Sequence, residues 1–445
     1  MPDDIHSIIE QLLPTTTTLL DGAIHIAGHT IADLAQQYGT PLYIFDHTTI
    51  IQACARYKQA FQLAYHASSV RLLYAAKAYL SPLLVRLLAE QGMGLDAVSG
   101  GELLVAQRAD FPMERVSFHG NNKAEDELRL ALKLGVGHIV LDNWAELEYL
   151  TRLVRESSTR PSVLLRVAPD VETDTHRYLQ TGHAAAKFGF PLSNDEAYSA
   201  ILRILAENVL SLDGLHAHSG TMLRETRPYE ETLRRLLTLA QRVYHGTGWW
   251  PREISPGGGW AIATADTLET PSITALAQAL DATMQQALST FPVSLPAPTL
   301  IIEPGRSIIA RAGVAVYRVG ARKVTPGGVT YLFVDGGMAD NIRPALYGAH
   351  YTALAATRAD VPPEETVCVA GRYCESGDVL IESVALPMMH EGELLLLPTS
   401  GAYCLPLASN YNLVPRPAVI LVDYSQIALM ERRETYDDLL TRYPV

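Results

Sequence analysis

An apolar run that ends at a lysine sets the pattern of this sequence: Leu72-Leu73-Tyr74-Ala75-Ala76-Lys77. A segment with helical spacing of its apolar residues follows, Pro82-Leu83-Leu84-Val85-Arg86-Leu87-Leu88. A second apolar run then ends at an acid, Gly94-Leu95-Asp96. Short β-like runs on either side of a helical segment predict a strand-helix-strand unit with parallel strands.

The same alternation continues to about residue 306, and six further apolar runs each stop at a polar or glycine residue. They are Val116-Ser117-Phe118-His119, His138-Ile139-Val140-Leu141-Asp142, Val163-Leu164-Leu165-Arg166, Gly214-Leu215-His216-Ala217-His218, Glu253-Ile254-Ser255-Pro256-Gly257 and Leu300-Ile301-Ile302-Glu303. Eight such strands predict an α/β fold, a (β/α)8 barrel, in which the active site lies at the C-terminal ends of the strands. The residues expected to converge there are Lys77, Asp96, His119, Arg166, His218, Gly257 and Glu303. Strands often end in polar residues because loops are polar, so the set carries more weight than any one member.

After Arg306 the pattern changes to short β-like runs separated by turn residues, at 314–317, 331–334, 394–397 and 419–422. We therefore predict a barrel domain over residues 46–310 and a C-terminal β-rich domain, a sandwich or barrel, over residues 311–445. The N-terminal segment, residues 1–45, has β-like runs at 22–26 and 42–45 and a helix from Thr30, and we expect it to join the β-rich domain.

Composition narrows the class of partner. The chain has 445 residues, which exceeds the roughly 250–300 at which a single core stops growing and favours two domains. Its net charge of -13 argues against nucleic acid and against an anionic membrane surface, since both attract basic proteins. A small-molecule substrate or a protein subunit is the better candidate.

The first residues and the cysteines indicate the cellular location and the redox state of the thiols. The first residues, Met1-Pro2-Asp3-Asp4, are acidic where a secretory signal is basic, and no apolar run approaches the ~20 residues that span a bilayer. We therefore expect a cytoplasmic protein. The cysteines Cys54, Cys368, Cys374 and Cys404 form no CxxC pair and no zinc spacing, so we expect most of them to be buried thiols, with no structural disulfide and no metal site.

Lys77 is unusual because burying an ammonium at the end of an apolar strand is costly. A lysine amine in such a place can form a Schiff base with a carbonyl cofactor. A surface lysine at a strand edge is an equally good interpretation of this residue alone.

Two further segments favour the cofactor. Gly257-Gly258-Gly259 follows a strand and could bring backbone N–H groups close to a phosphate, although a flexible turn has the same composition. Glu303-Pro304-Gly305-Arg306 offers a carboxylate that could keep a heterocyclic nitrogen protonated and an arginine for phosphate or carboxylate. An amine, a phosphate site and an acid are what pyridoxal phosphate requires, and a protonated ring suits decarboxylation.

With these motifs the chain resembles the diaminopimelate decarboxylases, a family of the alanine-racemase-fold group that also contains ornithine and arginine decarboxylases. The resemblance runs from about residue 20 to 425. In the barrel it rests on Tyr74-Ala75-Ala76-Lys77-Ala78, Asp96-Ala97-Val98-Ser99-Gly100-Gly101-Glu102-Leu103, His119-Gly120-Asn121-Asn122-Lys123, Thr175-His176-Arg177-Tyr178, Thr181-Gly182, Lys187-Phe188-Gly189 and Glu303-Pro304-Gly305-Arg306-Ser307. Beyond the barrel it rests on Arg343-Pro344-Ala345-Leu346-Tyr347-Gly348, Cys374-Glu375-Ser376-Gly377-Asp378, Gly401-Ala402-Tyr403 and Ser409-Asn410-Tyr411-Asn412.

The resemblance implies a pyridoxal-phosphate enzyme that converts meso-diaminopimelate into L-lysine, with an alanine-racemase-like fold and its active site at a homodimer interface. Implied catalytic residues are Lys77 (Schiff base), His218 (stacking on the ring), Glu303 (pyridine nitrogen) and Cys374 (proton donor from the other subunit). Implied further cofactor residues are Thr221, Gly257, Gly258, Gly259, Gly305, Arg306 and Tyr403. Implied substrate residues are Arg306, Arg343, Tyr347, Tyr403 and Glu375, the last from the other subunit.

Three positions depart from the usual pattern of the family: Met222 replaces a polar residue, Ala261 a glycine and Arg372 a proline. Met222 puts local substrate contacts in doubt. None of the three touches the cofactor chemistry.

Several alternatives stay open on the sequence alone. The enzyme could act on ornithine, arginine or a siderophore or antibiotic precursor, it could be a racemase, or the chain could be a silent regulator with a decarboxylase fold. Cys374 alone would be read as a buried structural thiol. His216 and His218, with Asp96 and His119, also allow a metal-hydrolase interpretation, which we regard as remote.

Overall fold

The computed structural model describes residues 5–156, 159–171, 187–291 and 293–444. The chain divides into two compact units. The barrel unit comprises Cys54–Ala261 and Thr270–Gly305, and the β-rich unit comprises Met1–Ala53, Ile262–Glu269 and Arg306–Val445.

Strands and helices alternate through most of the described residues. The strands are β1 (Thr17–Leu20), β2 (Ala23–Ile26), β3 (His29–Thr30), β4 (Leu42–Asp46), β5 (Val70–Ala75), β6 (Gly94–Ala97), β7 (Val116–Phe118), β8 (His138–Leu141), β9 (Ser162–Ala168), β10 (Phe190–Pro191), β11 (Ser211–His216), β12 (Glu253–Gly257), β13 (Thr299–Ile302), β14 (Gly313–Val324), β15 (Thr330–Val334), β16 (Leu354–Ala355), β17 (Glu365–Ala370), β18 (Val379–Leu386), β19 (Leu394–Leu397), β20 (Ala418–Val422) and β21 (Ile427–Glu431). The helices are α1 (Ile5–Leu12), α2 (Ile31–Tyr38), α3 (His47–Ala64), α4 (Pro82–Glu90), α5 (Gly100–Arg108), α6 (Glu125–Leu134), α7 (Trp144–Glu156), α8 (Glu196–Glu207), α9 (Arg227–Thr247), α10 (Ile273–Ser289), α11 (Arg306–Ile309), α12 (Arg343–Tyr347) and α13 (Tyr436–Leu440). Short 3-10 helices lie at Ala76–Ala78, Met113–Arg115, Leu405–Leu407 and Tyr411–Leu413.

The barrel unit is a closed ring of parallel strands. Its order is β5-β6-β7-β8-β9-β11-β12-β13, and β13 pairs with β5 to close the ring. The eight strands predicted from the sequence are therefore confirmed. All point the same way, so the residues that follow each strand gather at one end of the barrel.

Local sequence fixes where the first barrel helices begin. Ser81 caps α4 by accepting the N–H of Leu84 at 3.3 Å, with Pro82 in the first turn. Ser99 caps α5 in the same way, at 3.2 Å from the N–H of Glu102. Each cap fixes the residue at which its helix begins. The helices α4 and α5 therefore start within a few residues of the ends of β5 and β6.

A buried ion pair stabilises the loop that follows β7. Lys123 Nζ donates to the carbonyl oxygens of Gly120 at 2.9 Å and Val140 at 2.7 Å, and it also contacts the carboxylate of Glu146. The two charged side chains are 1% and 3% exposed. Each charge therefore depends on the other, since water reaches neither.

We predict that Lys123→Met lowers the free energy of unfolding by about 3–5 kcal/mol, because it leaves the carboxylate of Glu146 buried without its partner. Urea unfolding followed by tryptophan fluorescence measures the loss. Arg129→Met, which breaks an exposed pair with Glu125 on α6, is the control and should cost several times less. Equal losses in the two variants would contradict the prediction.

The β-rich unit is built around the long strand β14, which pairs with β15, β19 and β4. The larger sheet runs β18-β17-β15-β14-β4-β20-β21, and β1, β2 and β3 form a separate antiparallel sheet. Strand β4 comes from the N-terminal segment, so this segment belongs to the same unit as β14. Across the described part of the chain, no helix is both long and apolar enough to cross a membrane.

Candidate active site

The carboxylate of Glu303 lies directly after β13 and is 6% exposed. Its Oε2 is 3.0 Å from His216 Nε2, and its Oε1 is 3.0 Å from Ser255 Oγ. Burial would raise the pKa of Glu303, but the contacts with His216 and Ser255 outweigh it and bring the pKa to about 2. The barrel therefore holds an ionised carboxylate in a site that excludes water.

His119 and Asp96 form a second layer of contacts beside this carboxylate. His119 Nε2 is 3.5 Å from Asp96 Oδ1 and 3.9 Å from Glu303 Oε1. The rings of His119 and His216 meet edge to face, with centroids 4.7 Å apart. Burial keeps the pKa of His119 well below its ordinary value, so this ring is neutral.

The charged form of Asp96 is destabilised by its burial. Burial raises its pKa to about 7; the ammonium of Lys77 counteracts this shift and the charge of Glu303 adds to it. A carboxyl group with such a pKa takes up a proton on folding at pH values between about 4 and 7. Folding stability therefore falls as the pH rises through that window.

We predict that Asp96→Asn, in the cofactor-free protein, raises the free energy of unfolding relative to the wild type. The gain should be small near pH 4, grow up to about pH 7 and then stay level, reaching on the order of a few kcal/mol. Urea unfolding at several pH values measures it. Asp126→Asn, at an exposed carboxyl on α6, is the control. A gain in Asp96→Asn that did not depend on pH would contradict the assignment.

Lys77 lies in the 3-10 turn Ala76–Ala78 that follows β5. Its neighbours Ala76 and Ala78 are buried, but the lysine itself is exposed. The sequence suggested a buried ammonium at a strand end; the chain instead turns after Ala75, so the side chain leaves the sheet. The amine is thus accessible to a ligand.

The turn that carries Lys77 rests against the segment that follows Glu303. The N–H of Ala75 donates to the carbonyl of Pro304 at 3.1 Å. A Cβ on Gly305 would lie 2.9 Å from the Cβ of Ala75, so only glycine allows this approach. Because β5 and β13 are paired and parallel, Lys77 and Glu303 follow neighbouring strands at the same end of the barrel.

The glycine turn after β12 packs tightly against the loop after β11. Gly257 has φ +89°, and a Cβ there would lie 2.6 Å from the carbonyl of Ala217. Cβ atoms on Gly258 and Gly259 would overlap the carbonyls of Glu303 and Gly220. These three glycines are required by the packing, which excludes the interpretation as a merely flexible turn.

His218 and Thr221 lie in the loop that this turn contacts. His218 Nδ1 accepts the N–H of Gly258 at 3.3 Å, which places the ring proton on Nε2. Burial keeps the pKa of His218 well below its ordinary value. Thr221 is half-buried, and Met222, beside it, has φ +58°.

The β-rich unit contains a pair of guanidinium groups around Tyr403. The guanidinium carbon of Arg306 is 4.7 Å from the centre of the Tyr403 ring, and that of Arg343 is 5.6 Å from it. Arg343 also lies 5.7 Å from the ring of Tyr347 and donates to Tyr351 Oη at 3.1 Å. Burial and the charge of Arg343 lower the pKa of Arg306.

Among the residues that the structure describes, neither Arg306 nor Arg343 has an ion pair with a carboxylate, and Arg306 Nε is buried without a hydrogen-bond partner. Two cations held close together in this way repel each other. The arrangement offers two positive charges to an anion.

Cys374 and Glu375 lie in the connection between β17 and β18, and both are exposed. Cys54, Cys368 and Cys404 are buried. The interpretation of Cys374 as a buried structural thiol is therefore wrong. A burial prediction from residue type could not separate this cysteine from the other three, because free cysteine is usually buried.

Two residues that hold Glu303 were not predicted from the sequence as site residues. The sequence indicated His216 only as a possible metal ligand, and Ser255 only as part of a strand. Both lie on barrel strands two residues before a predicted site residue, His218 and Gly257. Side chains two apart on a strand share a face, so this spacing was the signal.

The remaining expected residue of the barrel end, Arg166, lies within β9. Its guanidinium is 3.8 Å from Asp142 and stacks 4.5 Å from the ring of Phe188.

His119, His216 and Glu303 could also be grouped as metal ligands. The Nε2 atoms of His216 and His119 lie 3.0 and 3.9 Å from the Glu303 carboxylate, the distances of a hydrogen bond and of a longer polar contact. The motifs Thr175-His176-Arg177-Tyr178 and Thr181-Gly182 lie outside the described residues.

Comparison with known proteins decides the family. A family model described as "Pyridoxal-dependent decarboxylase, pyridoxal binding domain" matches residues 47–310. A Bacillus subtilis (strain 168) protein named diaminopimelate decarboxylase is 39% identical over 419 residues, 94% of this chain and 94% of that protein. The chain belongs to the diaminopimelate decarboxylase family. A Synechocystis member is 40% identical over 442 residues, 97% of this chain and 92% of its own.

Solved structures of the diaminopimelate decarboxylase family agree with this fold. The enzyme from M. jannaschii superimposes with a TM-score of 0.89 at 31% identity, covering 97% of this chain and 98% of that one. The Helicobacter pylori enzyme, solved in complex with L-lysine, has a TM-score of 0.83 at 28% identity and covers 92% of this chain and 98% of that one.

Proposed function

We propose that this protein decarboxylates meso-2,6-diaminopimelate to L-lysine and carbon dioxide, with pyridoxal phosphate as its cofactor. The observation that carries the proposal is the buried, ionised Glu303 carboxylate at the Lys77 end of a barrel whose relatives are diaminopimelate decarboxylases.

The residues of the barrel end fit pyridoxal phosphate. Lys77 offers an accessible amine for covalent attachment of the aldehyde. Gly257, Gly258 and Gly259 form a turn in which no Cβ stands in the way of a phosphate. The N–H groups of Gly257 and Gly258 are bound to Ser255 Oγ and His218 Nδ1, so the N–H of Gly259 is the donor that we assign to the phosphate. With Thr221, Gly305, Arg306 and Tyr403, these are the residues that we assign to the cofactor, and His218 is assigned to the face of its ring.

When bound, pyridoxal phosphate would supply a ring able to take up the electron pair that loss of the carboxylate leaves on Cα. Glu303 supports this by favouring a proton on the pyridine nitrogen, since a buried ionised carboxylate stabilises positive charge beside it. His216 and Ser255 keep Glu303 oriented. The carboxylate at this position distinguishes the site from that of a racemase, which is better served by a cation there.

The substrate is a dicarboxylic acid, and Arg306 and Arg343 supply two cations for its carboxylates. Tyr347 and Tyr403 lie against these guanidinium groups and limit their movement. We assign Arg306, Arg343, Tyr347 and Tyr403 to substrate binding. Ornithine and arginine lack the second carboxylate.

We further propose that the protein is a homodimer in which Cys374 and Glu375 serve the partner's active site. Cys374 would deliver the proton that replaces the lost carboxyl group on Cα, and Glu375 would bind the distal amino group. The proposal is supported by the exposure of both Cys374 and Glu375 in the single chain, which leaves them accessible to a partner subunit. We also propose a cytoplasmic location, which cell fractionation tests.

The substrate is tested with purified holoenzyme offered diaminopimelate, ornithine, arginine and lysine in parallel, with released carbon dioxide measured. We expect release from diaminopimelate alone. Release from ornithine but not from diaminopimelate would overturn the assignment. A colourless protein that gains no cofactor absorbance would instead identify a silent regulator.

The shared active site is tested by mixing two variants of strongly reduced activity, Lys77→Met and Cys374→Ala, after reversible dissociation. A mixed dimer has one site with both native residues, so the mixture should recover about a quarter of wild-type activity. No recovery would place both residues in the same chain's site.

A further inference from the structure

The connection between β17 and β18, residues 371–378, is exposed over most of its length yet closely held. Exposed loops are usually mobile and variable in conformation. In this loop, the side chains of Asp378 and Asn412 accept the backbone N–H groups of two consecutive residues, Tyr373 and Cys374.

Asp378 joins this loop to a second one. Its Oδ2 accepts the N–H of Tyr373 at 2.7 Å, and its Oδ1 accepts the N–H of Met338 at 2.6 Å. The residue is 4% exposed. Burial raises the pKa of Asp378, and the two backbone N–H groups offset only part of this rise. Burying a carboxylate costs free energy, and here the two backbone hydrogen bonds compensate for part of that cost. The carboxylate therefore holds the two loops in one geometry.

Two glycines make room for this carboxylate. A Cβ on Gly337 or on Gly371 would overlap Asp378 Oδ1. Gly337 also has φ +150°, which few other residues adopt. The backbone around the carboxylate is thus shaped to enclose it.

Asn412 holds the next residue of the loop. Its Oδ1 accepts the N–H of Cys374 at 3.1 Å. Asn412 itself is in the left-handed region, with φ +52°, inside the turn Tyr411–Leu413. The rings of Tyr373 and Tyr411 lie 6.2 Å apart and bring the two segments together. The N–H groups on both sides of the Tyr373–Cys374 step are therefore fixed by side chains.

We propose that Asp378 and Asn412 are positioning residues that fix the Cys374 thiol for proton delivery to Cα. The inference rests on the proposed function, in which Cys374 is the proton donor. Proton transfer requires the donor within hydrogen-bond reach of the acceptor. A displacement of about 1 Å can cost roughly 10²-fold in rate, so a loop held at only one point would deliver the proton poorly.

A double-mutant cycle tests whether Asp378 acts through Cys374. Asp378→Asn keeps the size of the side chain but turns an N–H toward one of the two backbone donors, so one hydrogen bond is lost. We expect kcat to fall by about 10- to 100-fold with little change in KM. In a Cys374→Ala background the same substitution should have no further effect, because the thiol is already absent. The same factor of loss in both backgrounds would overturn the proposal.

Amide hydrogen exchange provides a readout that does not depend on activity. In the holoenzyme, the peptide containing Tyr373 and Cys374 should exchange at least several-fold faster in Asp378→Asn and in Asn412→Ala than in the wild type. Unchanged exchange would overturn the proposal. If Asp378→Asn fails to fold, Asn412→Ala carries both measurements, because its side chain is at the surface.

The matched control is Asp423→Asn in the turn between β20 and β21. Asp423 Oδ1 also accepts a backbone N–H, from Ser425 at 2.6 Å, but it lies in another hairpin. We expect unchanged kcat and unchanged exchange at Cys374. If the wild type releases no carbon dioxide from diaminopimelate, or Cys374→Ala keeps full activity, the proposed function fails. If those two behave as expected and the cycle is additive, only the positioning role fails.

Discussion

Lys77→Met is expected to lower kcat for decarboxylation by at least about 10²–10⁴-fold. Methionine keeps the length and apolar stem of lysine but has no amine, so the cofactor can no longer be attached covalently and no amine is left to exchange protons with it. Carbon dioxide release measures the loss. Borohydride reduction followed by peptide mass spectrometry should place the cofactor on Lys77 in the wild type and on no lysine in the variant.

Lys133→Met is the control for this substitution. Lys133 is exposed on α6, and its loss removes a charge without touching the barrel end. Its kcat and cofactor absorbance should equal those of the wild type. Should Lys77→Met remain active and still become labelled by borohydride at another lysine, the assignment of the attachment site would be wrong.

Glu303→Gln is expected to lower kcat by about 10²–10³-fold. Glutamine preserves the shape and can still contact His216 and Ser255, but it removes the negative charge that stabilises a protonated pyridine nitrogen. The absorbance spectrum of the bound cofactor should change as well. Because the pKa of Glu303 is about 2, its carboxylate stays ionised as the pH falls from 9 to 5, and wild-type activity should lose nothing through this group in that range.

Glu253→Gln separates loss of charge at the site from loss of a structural carboxylate. Glu253 begins β12, at the opposite end of the barrel, and binds Arg71 at 2.7 Å. This variant should lose stability but keep its cofactor spectrum and a kcat close to that of the wild type. A kcat equally reduced in both variants would mean that Glu303 acts through stability and not through the cofactor.

Much of the fold could be predicted because the signal is local. Each of the eight barrel strands is a short apolar run, and some of the helices begin at a capping residue, as Ser81 and Pro82 show for α4. The end of a strand is less well determined. Lys77 was expected at the end of β5, but the strand ends at Ala75. The N–H of Ala75 donates to the carbonyl of Pro304, which lies beyond the end of β13, and the chain then turns out of the sheet.

The contacts that shape the site are long-range and could not be predicted. The sequence shows Glu303 but not that His216 and Ser255, on two other strands, bind its oxygens. The same holds for Cys374, whose N–H meets a residue far along the chain, Asn412. The residue roles taken from the family resemblance, and the domain boundaries at 45 and 310, stay predictions. Motifs identify which side chains matter; the pairing of distant segments decides what each side chain touches.

The pairing of β13 with β5 has a consequence for how the enzyme matures. The first and last strands of the barrel supply the amine and the acid, so a polypeptide still emerging from the ribosome holds the lysine long before the glutamate exists. Until the barrel closes, such a chain has the lysine but not the carboxylate that we assign to the pyridine nitrogen of the cofactor. The cofactor site that we propose is therefore complete only after the last barrel strand has been synthesised and has paired with the first.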